Sequence, residues 1–161
     1  MIAEAADQID AVLRKGNELA RPLQRAVRDL MWERCGVLRD AAGLERGLEE
    51  LKAIADGAAD VDVSPNEEGW ADLGHLFDLR AAITTADLTF RGALARNESR
   101  GAHQRSDRPL VDPSLSVAFE TRRGPDGAVV QTAAPLPRVP ERLRARSDAP
   151  SPELAGDRLL E

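Results

Sequence analysis

The run from Arg96 to Arg105, Arg-Asn-Glu-Ser-Arg-Gly-Ala-His-Gln-Arg, holds the only chemistry-bearing cluster in the chain. It combines three arginines, one carboxylate at Glu98, one hydroxyl at Ser99 and one imidazole at His103 around a glycine, Gly101. An imidazole flanked by Arg100 and Arg105 could act as an acid/base or contact an anion. Catalytic histidines, however, need a positioned second group, and none is evident in the spacing. His103 therefore reads as a loop histidine that bonds backbone after a helix end. His75, set among Leu73, Leu76 and Phe77, reads as a boundary histidine. Cys35 beside Gly36 reads as a small buried thiol. Trp32 and Trp70 read as packing anchors.

Other chemistries lack their residues. No G-x-G-x-x-G or Walker-type loop is present to cradle a nucleotide. Two histidines and one cysteine give no metal-ligand spacing. No serine stands in a nucleophile-elbow context. Glu49-Glu50 and Glu67-Glu68 read as solvated helix charge. Asn97-Glu98-Ser99 matches a glycosylation sequon without a secretory context to give it meaning. A formal charge of −6 argues against a general affinity for nucleic acid. All but Lys15 and Lys52 of the 22 basic residues are arginine, a bias from which no phosphate-binding inference follows. The single cysteine excludes an intrachain disulfide and fits a reducing compartment. No apolar run reaches the length of a membrane span, so a soluble cytoplasmic protein without direct membrane insertion is expected.

The cluster must be positioned by helices. With 3% aromatics and no tyrosine, the core has to come from Leu, Ile, Val and Ala, which suits packed helices. Ala3 to Lys15 places Ile9, Val12 and Leu13 on one side and stops at Gly16-Asn17. Pro22 suits the start of a second helix, along which Leu23, Ala26, Val27, Leu30 and Met31 form one face before Gly36. Asp40 can cap a third, carrying Leu44, Leu48, Leu51 and Ile54 to about Gly57. Ala59 to Asn66 reads as a loop. A long helix from about Glu67 buries Leu73, Leu76, Phe77, Ile83, Phe90 and Leu94, with Gly101 as its αL stop.

The pattern changes after Pro109. Leu115, Val117, Phe119 and Thr121 alternate along one face, Gly124 to Gly127 signals a turn, and Ala128 to Thr132 returns as a strand. An isolated hairpin is marginal in water, so this one must lie against something. Pro135, Pro137 and Pro140 enforce extension. The last twenty or so residues read as weakly ordered, with a short helix from Glu153 to Leu160. The expected fold is mainly α: a three- to four-helix, up-down bundle resembling a spectrin repeat over 1–108, a β-hairpin over 109–134, and an extended Pro-rich tail over 135–161.

The segment Arg96-x-Glu98-Ser99-Arg100-Gly101-Ala102-His103 closely resembles the signature near the C-terminus of succinate dehydrogenase and fumarate reductase flavoprotein subunits. Leu30-Met31-Trp32-Glu33 with Gly36-Val37 and Arg39-Asp40 looks like the family's "LMW…GV.RD" segment. Phe77-Asp78-Leu79-Arg80 is similar to its "ALELRN" stretch. Asp112-Pro113, the alternating strand and Pro135-Leu136-Pro137 resemble its two-stranded end. L-aspartate oxidase is the related second choice. It shares the helical part, but its signature usually lacks the Ala102-His103 pairing and it lacks this tail. Two departures stand out: Asn97 replaces the usual Lys or Thr, and Pro113-Ser114-Leu115 occupies the place of an aromatic before the first tail strand.

The resemblance implies a non-catalytic supporting domain in FAD-dependent succinate–fumarate interconversion. The FAD site and catalytic residues belong to preceding domains without a counterpart here. This chain alone is thus expected to bind no cofactor and to turn nothing over. The implied partners are a membrane anchor, a flavin-binding domain or subunit, and an iron–sulfur subunit, placing the chain at the cytoplasmic membrane face through a complex. Arg96, Glu98, Ser99, Arg100, Gly101, His103 and Arg105 are the candidate interface or structural residues. The alternative is a free-standing helical interaction module, or a truncated remnant, without enzymatic activity.

Overall fold

A computed structural model describes residues 7–144 except 8, 14, 15, 65, 125–127, 139 and 142, and leaves the side chains of 68 and 69 undescribed. Among the described residues three long helices, α1 (Ala20–Cys35), α2 (Ala41–Ala58) and α3 (Glu67–Ala95), pack against one another. Their shared core contains Val27, Leu30, Leu44, Leu51, Leu79 and Phe90. The first expected helix lies partly outside the described residues. Its described part places Val12 in the core with Leu13 against it. The short helix expected from Glu153 lies wholly outside.

Helix α1 starts at Ala20, two residues before Pro22, with Leu19 at its N-cap. Pro22 still falls in the first turn, where its missing N–H has no intrahelical partner to lose. Gly36 ends the helix as expected. Asp40 caps α2, its Oδ1 accepting from Gly43 N at 2.8 Å. Helices α2 and α3 approach closely at Gly47, where an added Cβ would stand 2.6 Å from Phe90 Cζ.

Along α3 the buried positions are Leu76, Leu79, Ala86, Phe90 and Ala93, with Leu73, Ile83 and Leu94 packed against them. Phe77, expected in the core, is exposed. It adjoins Leu76 on the turn, and the stripe set by Leu79, Ala86 and Ala93 rotates it outward. Both tryptophans are also outside. Trp32 is 85% and Trp70 54% exposed, so neither anchors this core.

Helix α3 ends at Ala95, earlier than Gly101. Gly101 does adopt the left-handed conformation, with φ 59°, but within a separate turn. Arg100 N donates to His103 O at 2.8 Å and His103 N to Arg100 O at 3.0 Å. This is a two-residue hairpin turn with positive φ only at its first central position, where glycine carries no Cβ penalty.

Two short strands add to the expected elements. β1 (Leu38–Arg39) runs parallel to β2 (Gln104–Arg105), pairing Leu38 with Gln104 and Arg39 with Arg105. β3 (Val117–Arg123) and β4 (Val129–Pro135) form the expected antiparallel hairpin, in register from Val117–Pro135 to Arg123–Val129. A 3-10 turn, Pro113–Leu115, precedes it, with Asp112 accepting from Ser114 N. The hairpin lies on α3, as its marginal stability alone requires.

Candidate functional site

The signature residues converge where α3 ends. A helix leaves its last carbonyls without intrahelical partners, and the segment after Ala95 folds back to supply them. Arg105, with 1% of its side chain exposed, donates from Nη1 to Ala93 O at 3.1 Å. His103 Nε2 lies 3.0 Å from Arg96 O. Since a carbonyl can only accept, Nε2 carries the proton in the neutral ring. Burial, followed by the nearby Arg39, Arg105 and Arg96 charges, holds the His103 pKa below the ordinary range despite that hydrogen bond. His103 is therefore a neutral donor to backbone near pH 7.

Glu98 is fully buried and fully engaged. Oε1 accepts from Arg96 Nη1 at 2.6 Å and Arg100 Nε at 2.8 Å. Oε2 accepts from Arg100 Nη2 at 3.0 Å and from Asp112 N at 2.8 Å. The hydrogen bond from Arg100 leads in holding its pKa down at about 2, against the opposing effect of burial. A buried carboxylate is tolerable only when so satisfied. Arg96 extends the network to the hairpin, donating to Leu115 O at 3.2 Å and Val117 O at 2.8 Å. Its guanidinium lies 4.7 Å from the centre of the Phe119 ring, a cation–π contact.

Ser99 ties the returning loop. Its hydroxyl accepts from Arg105 N at 2.8 Å and donates to Arg108 O at 2.8 Å. Its own N–H donates to Leu110 O at 3.1 Å. Arg105 also grips Asp107 through two bonds of 2.7 Å, which hold the Asp107 pKa well below the carboxylate range. Asp107 in turn accepts from Ala41 N at 3.3 Å, linking the loop to the start of α2.

The structure thus brings Arg96, Glu98, Ser99, His103 and Arg105 into one region, with Arg100 and the Gly101-Ala102 turn on its outer side. Arg39, Asp107 and Asp112, which are not among the candidates read from the sequence, join it. Arg39 Nη1 lies 3.7 Å from Cys35 Sγ, and its Nε is buried without a hydrogen-bond partner among the described residues. Asp107 and Asp112 carry a usable signal in their closeness to a dense arginine run. Arg39 is placed here only by the β1–β2 pairing.

This arrangement holds backbone together. Ser99 Oγ, His103 Nε2 and both Glu98 oxygens are engaged by internal partners. Among the described residues no group of three or more histidine, cysteine or acidic side chains could hold a metal ion. None of the described helices is long and apolar enough to cross a membrane.

Residues 24–119 match the family described as "Fumarate reductase flavoprotein C-term". The chain belongs to this family. Relatives include L-aspartate oxidase of Rhodospirillum rubrum, 40% identical over 111 residues that cover 69% of this chain and 33% of the relative. The succinate dehydrogenase flavoprotein subunit of Rickettsia bellii is 33% identical over 95 residues, covering 58% of this chain and 16% of its own length. The chain therefore spans a third or less of either relative. Two solved structures share the fold. Mycobacterium smegmatis Sdh1 in complex with UQ1 has a TM-score of 0.79 and 20% identity, covering 92% of this chain and 26% of that one. E. coli quinol fumarate reductase has a TM-score of 0.73 and 21% identity, covering 86% and 25%.

Proposed function

We propose that this family member acts as the supporting C-terminal domain of an FAD-dependent oxidoreductase that interconverts succinate and fumarate. Within it we assign the bundle to 1–108 and the hairpin region to 109–135, since Pro135 pairs with Val117, with the tail after it. The flavin, the capping domain and the reacting groups are supplied elsewhere, on the same polypeptide or another. A membrane anchor and an iron–sulfur subunit complete the assembly at the cytoplasmic membrane face.

The carrying observation is the apolar surface on segments bonded to the signature. Trp32, Val37, Leu38, Leu110 and Val111 are all more than half exposed. Val37 O accepts from Gln104 N, Leu38 pairs with Gln104, and Leu110 O accepts from Ser99 N. Large apolar side chains left outside on a rigid frame fit a docking face. Within that face Arg100, with 40% of its side chain exposed, and the Gly101 turn are the polar contacts we assign to the flavin-bearing partner. Glu98, Ser99 and Arg105 support that face from within. Supporting the assignment to succinate and fumarate are the Ala102-His103 signature and the hairpin, both features of those flavoproteins.

Introducing Leu38→Asp together with Leu110→Asp tests this reading. Both side chains are exposed, so far-UV circular dichroism should not change. Co-purification of a separate flavin-containing protein, or retention of flavin where the two are one polypeptide, should be lost. Retention of the separate protein, or of the flavin on a shared polypeptide, by the double variant would refute the docking face. A second reading, oxidation of L-aspartate, draws support from the 40% identity to the Rhodospirillum rubrum enzyme. Turnover of succinate against L-aspartate by the recovered flavoprotein separates the two.

A further inference from the structure

An open groove of about 720 Å³ lies between α2, α3 and the hairpin, away from the signature network. Its floor is apolar, formed by Leu48, Leu51, Ile83 and Val129. Its polar lining is cationic: Lys52, Arg80, Arg91 and Arg123 against the single carboxylate of Asp87. In a chain of net charge −6 this is an inversion of the overall balance. Asp87 is already committed, accepting from Arg91 at 3.0 Å and facing Arg123 at 3.7 Å. Lys52 and Arg80 form no ion pair among the described residues.

We propose that this groove binds a small amphiphilic carboxylate, a molecule with an aliphatic body and one anionic head. The body lies on the leucine, isoleucine and valine floor, and the head sits between Lys52 and Arg80. Four basic side chains against one carboxylate attract an anionic head and repel a cationic one. The volume falls in the roughly 300–1,000 Å³ range of small-ligand pockets. This inference is independent of the assignment to succinate and fumarate, whose reacting groups lie in other domains.

The test uses dodecanoate, below its micelle concentration, titrated into the 161-residue chain and followed by two-dimensional amide NMR. Saturable shifts should appear at Leu48, Ile83, Thr84 and Val129, with the amides of Ser99 to Arg105 unmoved. Dodecanol and dodecyltrimethylammonium should bind at least about tenfold more weakly. Lys52→Ala with Arg80→Ala should weaken dodecanoate at least about tenfold, and both side chains are exposed, so the fold should be retained. Equal binding of dodecanol, an unchanged affinity in the double variant, shifts elsewhere, or no saturation would each overturn the proposal. So would shifts at these amides on adding the flavoprotein partner with none from dodecanoate, which would assign the groove to protein contact.

Discussion

Replacing Arg105 by methionine removes the guanidinium while keeping most of the side-chain volume. The lost interactions are two 2.7 Å bonds to Asp107, the 3.1 Å bond to Ala93 O at the end of α3 and a long 3.4 Å bond to Arg96 O, which keeps His103. Breaking a buried ion pair costs about 3–5 kcal/mol when the surviving charge stays buried. Asp107 retains 33% side-chain exposure and can rehydrate, which puts this contribution at the low end. The orphaned Ala93 carbonyl adds about 1 kcal/mol or more. The total is about 4 kcal/mol, which at roughly 2–4 °C per kcal/mol for a chain of this size lowers Tm by about 8–16 °C. Differential scanning calorimetry measures it directly. Arg100→Ala is the internal comparison: it removes two bonds to the buried Glu98, but the carboxylate keeps Arg96 and Asp112 N and is opened to water where the 40% exposed side chain stood, so its Tm should fall by less than that of Arg105→Met. A fall of under about 3 °C for Arg105→Met would refute the view that this network fastens the helix end. Equal losses for the two variants would refute the division between inner support and outer surface.

Alongside the Arg105-bound Asp107, acid sensitivity should trace to Glu98. Its pKa is about 2 in the folded chain against 4.5 as a free side chain, so its contribution is complete above pH 4.5 and lost as pH falls toward 2. Glu98→Gln should flatten the dependence of Tm on pH across that window, as thermal melts at stepped pH would show. Gly47→Ala should lower Tm despite the roughly 1 kcal/mol helix-propensity gain, because the new methyl meets the buried Phe90 ring. Adding Phe90→Leu should recover part of that loss in a double-mutant cycle. Gly101→Ala should cost about 1–2 kcal/mol by urea denaturation, since its φ of 59° penalises any Cβ although the space around it is open, and Gly101→Asn should cost less.

Much of the frame is readable because its signals are local. Asp40 capping α2, Gly36 ending α1 and the alternation of Val117, Phe119 and Thr121 each depend on neighbours a few residues away. On α3, side-chain size misleads where period decides. Phe77 looks like core by its bulk, while the smaller Ala86 and Ala93 complete the buried stripe with Leu79. Trp32 reads inward because large aromatics are usually buried. In this chain it stands on the face that we assign to a partner, and a single sequence does not distinguish a core from an interface. The β1–β2 pairing is illegible for a different reason. Two-residue strands carry no alternation, and their partners lie 66 positions apart in register, Leu38 with Gln104. The signature residues stand out by their density of charge and by resemblance. Their division into inner supports (Glu98, Ser99, Arg105) and an outer turn (Arg100, Gly101) comes only from coordinates.

The central claim is that this chain serves as the supporting domain of a flavoprotein. The most direct test is to capture it by an affinity tag from its own host and record the visible spectrum and composition of what is recovered. The account predicts a yellow preparation, with flavin absorption carried by a larger polypeptide that is continuous with this chain or bound to it; the Leu38→Asp, Leu110→Asp variant should lose a separate flavoprotein, or lose its flavin where the two are one polypeptide. A colourless preparation containing the folded chain and no flavoprotein would contradict it.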